Sequence, residues 1–236
     1  MSSKKKEKEI KEEKSWERID NAVFESGHFL EKYSKQILIG VGALVLIVCA
    51  YMAYNHFYVK PKNENAQNAI FRGQYYFNNG QDSLALYGDG NEYIGFESII
   101  NEYGSTSVGN LAKGYAGLCY SRMGKYEEAL SYLKDYKGKD AIFSHLVGGA
   151  IGDCLDNQGK PDEAVSYFEK AAKGVDSQVY SPALYKKAAL IYRNQGNYDK
   201  VIELFTIVKN KYMNSPIAAT EADKYIEEAT LLKEKK

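Results

Sequence analysis

Gly117-Leu-Cys-Tyr-Ser-Arg-Met-Gly-Lys-Tyr-Glu-Glu-Ala129 returns as Gly152-Asp-Cys-Leu-Asp-Asn-Gln-Gly-Lys-Pro-Asp-Glu-Ala164 and again as Ala189-Leu-Ile-Tyr-Arg-Asn-Gln-Gly-Asn-Tyr-Asp-Lys-Val201. The inner glycines Gly124, Gly159 and Gly196 are 35 and 37 residues apart. Self-similarity at that period marks a stack of helical units that bury one another's apolar faces. Each unit reads as helix A, a glycine turn, then helix B. The glycine ends helix A because a positive φ there meets no Cβ. Glu127, Glu128, Asp162 and Glu163 open the helices that follow, at the positive end of the macrodipole. Pro161 falls where a missing N–H is harmless. Ala129 and Ala164 allow close approach of the two helices, and Leu133, Phe168 and Phe205 fill the space between them.

The period and the turn pattern resemble tetratricopeptide repeats. Aligned on the glycines, the small pairs are Gly117/Ala129, Gly152/Ala164 and Ala189/Val201, and the large residues ending helix A are Tyr120, Leu155 and Tyr192. The expected repeats run over about 110–143, 145–178 and 182–213. The aromatic usual early in helix A is present as Tyr185, whereas Lys113 and Gly148 stand in its place in the other two. A degenerate repeat over 66–105 precedes them, carrying Gly73, Tyr76, Gly80 and Ala85 at matching offsets. Its second helix reads as displaced by Tyr87-Gly-Asp-Gly-Asn-Glu92, to Ile94–Tyr103. Asp89, Asn91 and Glu92 lack the oxygen order of an EF-hand, so the insertion reads as a turn. Ser215 as N-cap and Pro216 as first residue start a capping helix over 215–234, its inner face formed by Ala219, Ala222, Tyr225, Ile226 and Ala229. The fold class expected is all-α: one N-terminal transmembrane helix, then a tetratricopeptide α-solenoid over 60–236 with that C-terminal cap.

Upstream, residues 37–59 contain no Asp, Glu, Lys or Arg. As a helix they extend roughly 34 Å at ~1.5 Å per residue, enough for a ~30 Å hydrocarbon core. Tyr51, Tyr54, Phe57 and Tyr58 cluster at the C-terminal end as an interfacial belt would. The run is too long, and too much chain precedes it, for a cleaved signal peptide. Bulky Ile47 and Val48 before Cys49 argue against lipoprotein processing. Residues 1–36 carry nine Lys/Arg and eight Asp/Glu, and the first fourteen residues are too polar to bury surface. From Trp16, a stripe of Ile19, Val23, Leu30 and Tyr33 forms an amphipathic helix, suited to a membrane surface or to a protein partner. Near the span, Arg18, Lys32 and Lys35 balance Lys60, Lys62 and Arg72, so orientation rests on the six further cations of the tail, which favour an N-terminus inside.

The whole chain has 31 Lys+Arg against 31 Asp+Glu, so no general basic character points to nucleic acid. Three cysteines make no disulfide framework, and three histidines leave little for a metal site. No nucleophile motif, phosphate loop or ligand cluster appears, so neither an enzyme nor a cofactor is expected. Cys119 and Cys154 read as small packing residues, and His145 as a surface or capping histidine.

Helical solenoids bind along the face lined by helix A. Glycine alignment places Gln74, Leu118, Arg122, Asp153, Asn157, Lys186, Leu190, Arg193 and Asn194 on it as the candidate protein-binding groove. One subtype of these repeats grips chaperone C-termini with a Lys-x-x-x-Asn pair. The matching positions here are Ile70/Gln74, Gly114/Leu118, Gly149/Asp153 and Lys186/Leu190, and none fits.

In layout the chain resembles the bacterial ancillary subunit of the Sec translocon. The resemblance implies a single-pass inner-membrane protein with its N-terminus cytoplasmic and its repeats periplasmic. Its partners would be the translocon, periplasmic chaperones or exported clients, together with the lipid bilayer. The rival readings are a scaffold for another envelope or division complex, and a cytosol-facing membrane receptor.

Overall fold

The computed structural model describes residues 33–36, 38–138 and 140–235. The expected amphipathic stretch from Trp16 therefore lies almost wholly outside the described residues. The chain divides into two units, residues 1–60 and 61–236.

The first unit contributes helix α1, Tyr33–Phe57, which is long and apolar enough to cross a membrane. Its large side chains stand unpacked on every side, with Leu38, Ile39, Leu46 and Ile47 each around 70 % exposed. The helix ends in a π turn, Asn55–Val59, closed by Lys60 N–H donating to the Asn55 carbonyl.

Among its described residues the second unit has helices joined by turns and loops, and no strand. In order come α2 (Lys60–Asn78), α3 (Asp82–Tyr87), α4 (Gly95–Tyr103), α5 (Ser107–Arg122), α6 (Tyr126–Asp135), α7 (Ala141–Asn157), α8 (Pro161–Val175), α9 (Ser181–Asn194), α10 (Tyr198–Lys211), α11 (Pro216–Thr220) and α12 (Ala222–Glu234). Helices pack chiefly on their chain neighbours, as a solenoid requires.

Four turns share one backbone pattern. Gly80, Gly124, Gly159 and Gly196 have φ of 71°, 75°, 74° and 70°. The residue after each glycine donates its N–H to the carbonyl five back, from Gln81, Lys125, Lys160 and Asn197 to Tyr76, Tyr120, Leu155 and Tyr192. That is the Schellman closure, and it satisfies carbonyls the helix end would leave open. Helix pairs then meet at the small residues. A Cβ on Gly117 would lie 2.5 Å from Leu133 Cγ, and one on Gly152 would lie 2.7 Å from the Phe168 ring.

Caps follow the sequence rules. Thr106 Oγ1 accepts from Gly109 N–H at 3.0 Å and Ser215 Oγ from Ala218 N–H at 3.1 Å. Asp140 Oδ1 does the same for Phe143 N–H at 2.6 Å.

Three local expectations need correction. The helix after Gly80 is split, not displaced: α3 starts at Asp82 and stops after six residues at Gly88, whose φ is 91°. The loop then returns to α4 through Gly95, also at positive φ. The C-terminal cap is two helices, broken at Glu221, whose carboxylate binds Lys186 Nζ at 2.5 Å. The break lets Ala222 and Ala229 bury fully while Ala219 stays exposed. His145 is no surface residue: it is 4 % exposed, with its ring 4.4 Å from that of Tyr180.

A candidate protein-binding face on the A helices

The A helices α2, α5, α7 and α9 carry all nine expected groove residues, and the structure gives most of them an internal partner. Gln74 Nε2 donates to Tyr115 Oη at 3.3 Å. The Arg122 guanidinium sits 3.7 Å above the Phe77 ring, with its Nε 3.4 Å from Asp82 Oδ1. The latter contact is an ion pair without hydrogen-bond geometry, since Asp82 Oδ1 makes no hydrogen bond. Asp153 accepts from Lys187 Nζ through both oxygens, at 2.6 and 2.8 Å. Lys186 pairs with Glu221, and Arg193 with Glu228. Asn157 Nδ2 donates back to the Asp153 carbonyl at 2.8 Å. Leu118 and Leu190 are half-buried, and Asn194 is exposed.

The four charged members thus pair with a group on another helix or at its cap: α3 for Arg122, α9 for Asp153, Glu221 for Lys186 and α12 for Arg193. These contacts tie helix to helix along one face. The Glu228 carboxylate also keeps the Arg193 guanidinium above the ordinary arginine range. A face whose charges are already neutralised has little left with which to select a partner by charge.

Sequence alignment on the glycines missed the upstream half of the same face. Ile142, Leu146, Asp153 and Asn157 follow one another on α7 at steps of four, seven and four residues, one side of one helix. Ile142 is 57 % and Leu146 43 % exposed, and Val179, at the matching offset before α9, is 73 % exposed. The signal lay in the sequence: Ile142 and Val179 both stand 17 residues before a turn glycine. Large apolar residues recurring at one outward position form a strip, and exposed apolar strips mark contact surfaces.

No group of three or more metal-ligating side chains occurs among the described residues. Cys119 and Cys154 are both buried free thiols, and burial pushes each away from the thiolate form. Cys154 Sγ donates to Ser121 Oγ at 3.3 Å, a packing contact between α7 and α5.

Residues 115–140 and 149–173 each match a family model described as tetratricopeptide repeat. The searches of curated proteins and of solved structures found no match. The matched segments fall on α5–α6 and on α7–α8, with their glycine turns inside them. The described residues are therefore all-α in class, with tetratricopeptide repeats, modules of protein–protein interaction, following a helix apolar enough to span a membrane.

Proposed function

We propose that this is a membrane-anchored adaptor that holds exported or envelope proteins beside the Sec translocon, with α1 as the anchor and the repeats in the periplasm. One observation carries the reading: Ile142, Leu146 and Val179 are exposed on a face whose neighbouring charges are paired internally. Such a face favours apolar, extended segments over charged motifs. Chains emerging from a translocation channel offer such segments before they fold. The charge-free span of α1 and the layout shared with the ancillary translocon subunit support the membrane and compartment parts of the proposal.

Topology is the first test. An export-dependent reporter and a cytosol-dependent reporter are fused in turn after Lys236. Activity of the export-dependent fusion alone is the expected result. Activity of the cytosol-dependent fusion alone rejects the periplasmic role and leaves a receptor for cytosolic partners. A photo-crosslinking residue at Leu146 then reads the face itself. Adducts with nascent exported chains or translocon subunits are expected. Adducts confined to division or envelope-assembly proteins would move the assignment to a scaffold there.

A further inference from the structure

A second site lies on another face of α7. Between α6, α7 and α8 there is a cavity of about 630 Å³, within the size range of ligand pockets, ~300–1,000 Å³. Its origin is visible in the repeat register. Gly148, Ala171 and Val175 line it, at offsets −11, +12 and +16 from Gly159. At the same offsets from Gly196 stand Tyr185, Val208 and Tyr212, all three essentially buried, with the two tyrosine rings 6.0 Å apart. The third helix pair fills this position with two aromatic rings, and the second pair leaves it open.

The polar groups at the cavity are one-sided. Its lining includes Lys134 and Lys170 and no carboxylate. Neither lysine is in an ion pair among the described residues. The acids nearby are already engaged: Asp135 by Lys113, Glu169 by Lys173, and Asp140 by the Phe143 N–H it caps. His145 lines the cavity as well. Its Nδ1 is 3.4 Å from the Ala141 carbonyl, which can only accept, so the proton belongs on Nδ1. That leaves Nε2 as an acceptor, and Nε2 is buried without a hydrogen-bond partner. Such an atom costs stability unless something donates to it. Burial also lowers the pKa of His145.

We propose that this cavity binds a partner chain through an aromatic residue that bears or adjoins a carboxylate. The ring occupies the space that Tyr185 and Tyr212 fill one repeat later. The carboxylate sits between Lys134 and Lys170. The site is separate from the Ile142–Leu146 face and stands whether or not that face binds exported chains.

The test uses the full chain in lipid nanodiscs and a soluble probe, N-acetyl-phenylalanine, followed by saturation-transfer NMR on the phenyl protons. Empty nanodiscs correct for partition into lipid. Saturable binding is expected, weakened about tenfold in K134Q/K170Q, as loss of two charge-assisted contacts implies. Both lysines are exposed, so that variant keeps the fold. V175Y, which installs the side chain found one repeat later, is expected to abolish binding while circular dichroism stays unchanged. N-acetyl-phenylalanine amide supplies the neutral control and should bind as weakly as the double lysine variant. N-acetyl-Asp-Phe-amide distinguishes a side-chain carboxylate from a chain terminus, since binding of either acid supports the site. No saturable binding of either acid, equal binding of the neutral amide, or binding that survives V175Y overturns the proposal.

Discussion

The helix pair α7–α8 and the unit α2–α4 begin alike and end differently. Both turn through a glycine at φ near +70°, closed by the same six-to-one hydrogen bond. After Gly159, helix α8 runs for fifteen residues against α7 and buries Phe168. After Gly80, helix α3 stops within two turns, and the chain makes a loop with its own small core. Asp89 organises that loop, accepting from the Asn91 and Tyr93 N–H groups through one oxygen and from Tyr76 Oη at 2.9 Å through the other. Tyr93 Oη reaches the Ala85 carbonyl at 2.7 Å. Phe96, stacked on Tyr115 at 5.3 Å, then joins the unit to α5. The comparison teaches that the turn is local chemistry, whereas the length of the helix leaving it depends on what there is to pack against.

Core truncation is the strongest way to break the comparison. Phe168→Ala and Phe96→Ala each remove a ring that is 2 % exposed or less, and each should cost about 3–5 kcal/mol, read as lost thermal stability of the full chain in nanodiscs. Similar losses would make α2–α4 an integral end of the array. A much smaller loss for Phe96→Ala would make it an appendage.

The turns should differ less. Gly80→Ala and Gly159→Ala meet open space but force a Cβ into positive φ, at a cost of about 1–2 kcal/mol each. Equal values would sharpen the claim that one local motif serves both units, and unequal values would show that flanking packing sets the cost.

The ties along the A-helix face come next. Arg122→Ala loses a cation held over the Phe77 ring and should cost about 0.5–1 kcal/mol. Lys187→Ala loses an ion pair whose partners are 47 % and 41 % exposed, and should cost below about 0.5 kcal/mol, falling further in high salt. A larger, salt-sensitive loss at Lys187 would mean that ion pairs set the geometry of this face.

The smallest effect is confined to the loop. Backbone N–H bonds, that from Asn91 foremost, hold the Asp89 carboxyl below the ordinary aspartate range. A depressed folded pKa adds stability above the ordinary aspartate pKa and loses it as pH falls through the lower folded value. Amide exchange at Asn91 and Tyr93 should therefore quicken below the ordinary aspartate range relative to amides in α8. Asp89→Ala should remove that pH dependence and leave α8 unaffected.

Much of this architecture was legible in the residues, for reasons that are local. A glycine every 35 to 37 residues, acids after it and small residues flanking it determine turn, helix start and close approach without long-range information. The charge-free run over 37–59 likewise speaks for itself. The groove was legible only in part. Counting back from the glycines located the right helices, but not that Arg122, Asp153, Lys186 and Arg193 would be spent on partners from neighbouring helices, nor that Ile142 and Leu146 would stay bare. Those outcomes depend on which side chains meet across helices about 35 residues apart in sequence.

Sequence by itself thus determined the period, the turns, the cap at Ser215 and the apolar span, because each is set by a few adjacent residues. Tertiary structure alone decided three things: that α3 ends at Gly88, that His145 is buried against Tyr180, and that Gly148, Ala171 and Val175 together leave a cavity between α6, α7 and α8. Each depends on volume shared among side chains from separate helices, and no single stretch of sequence specifies that sum.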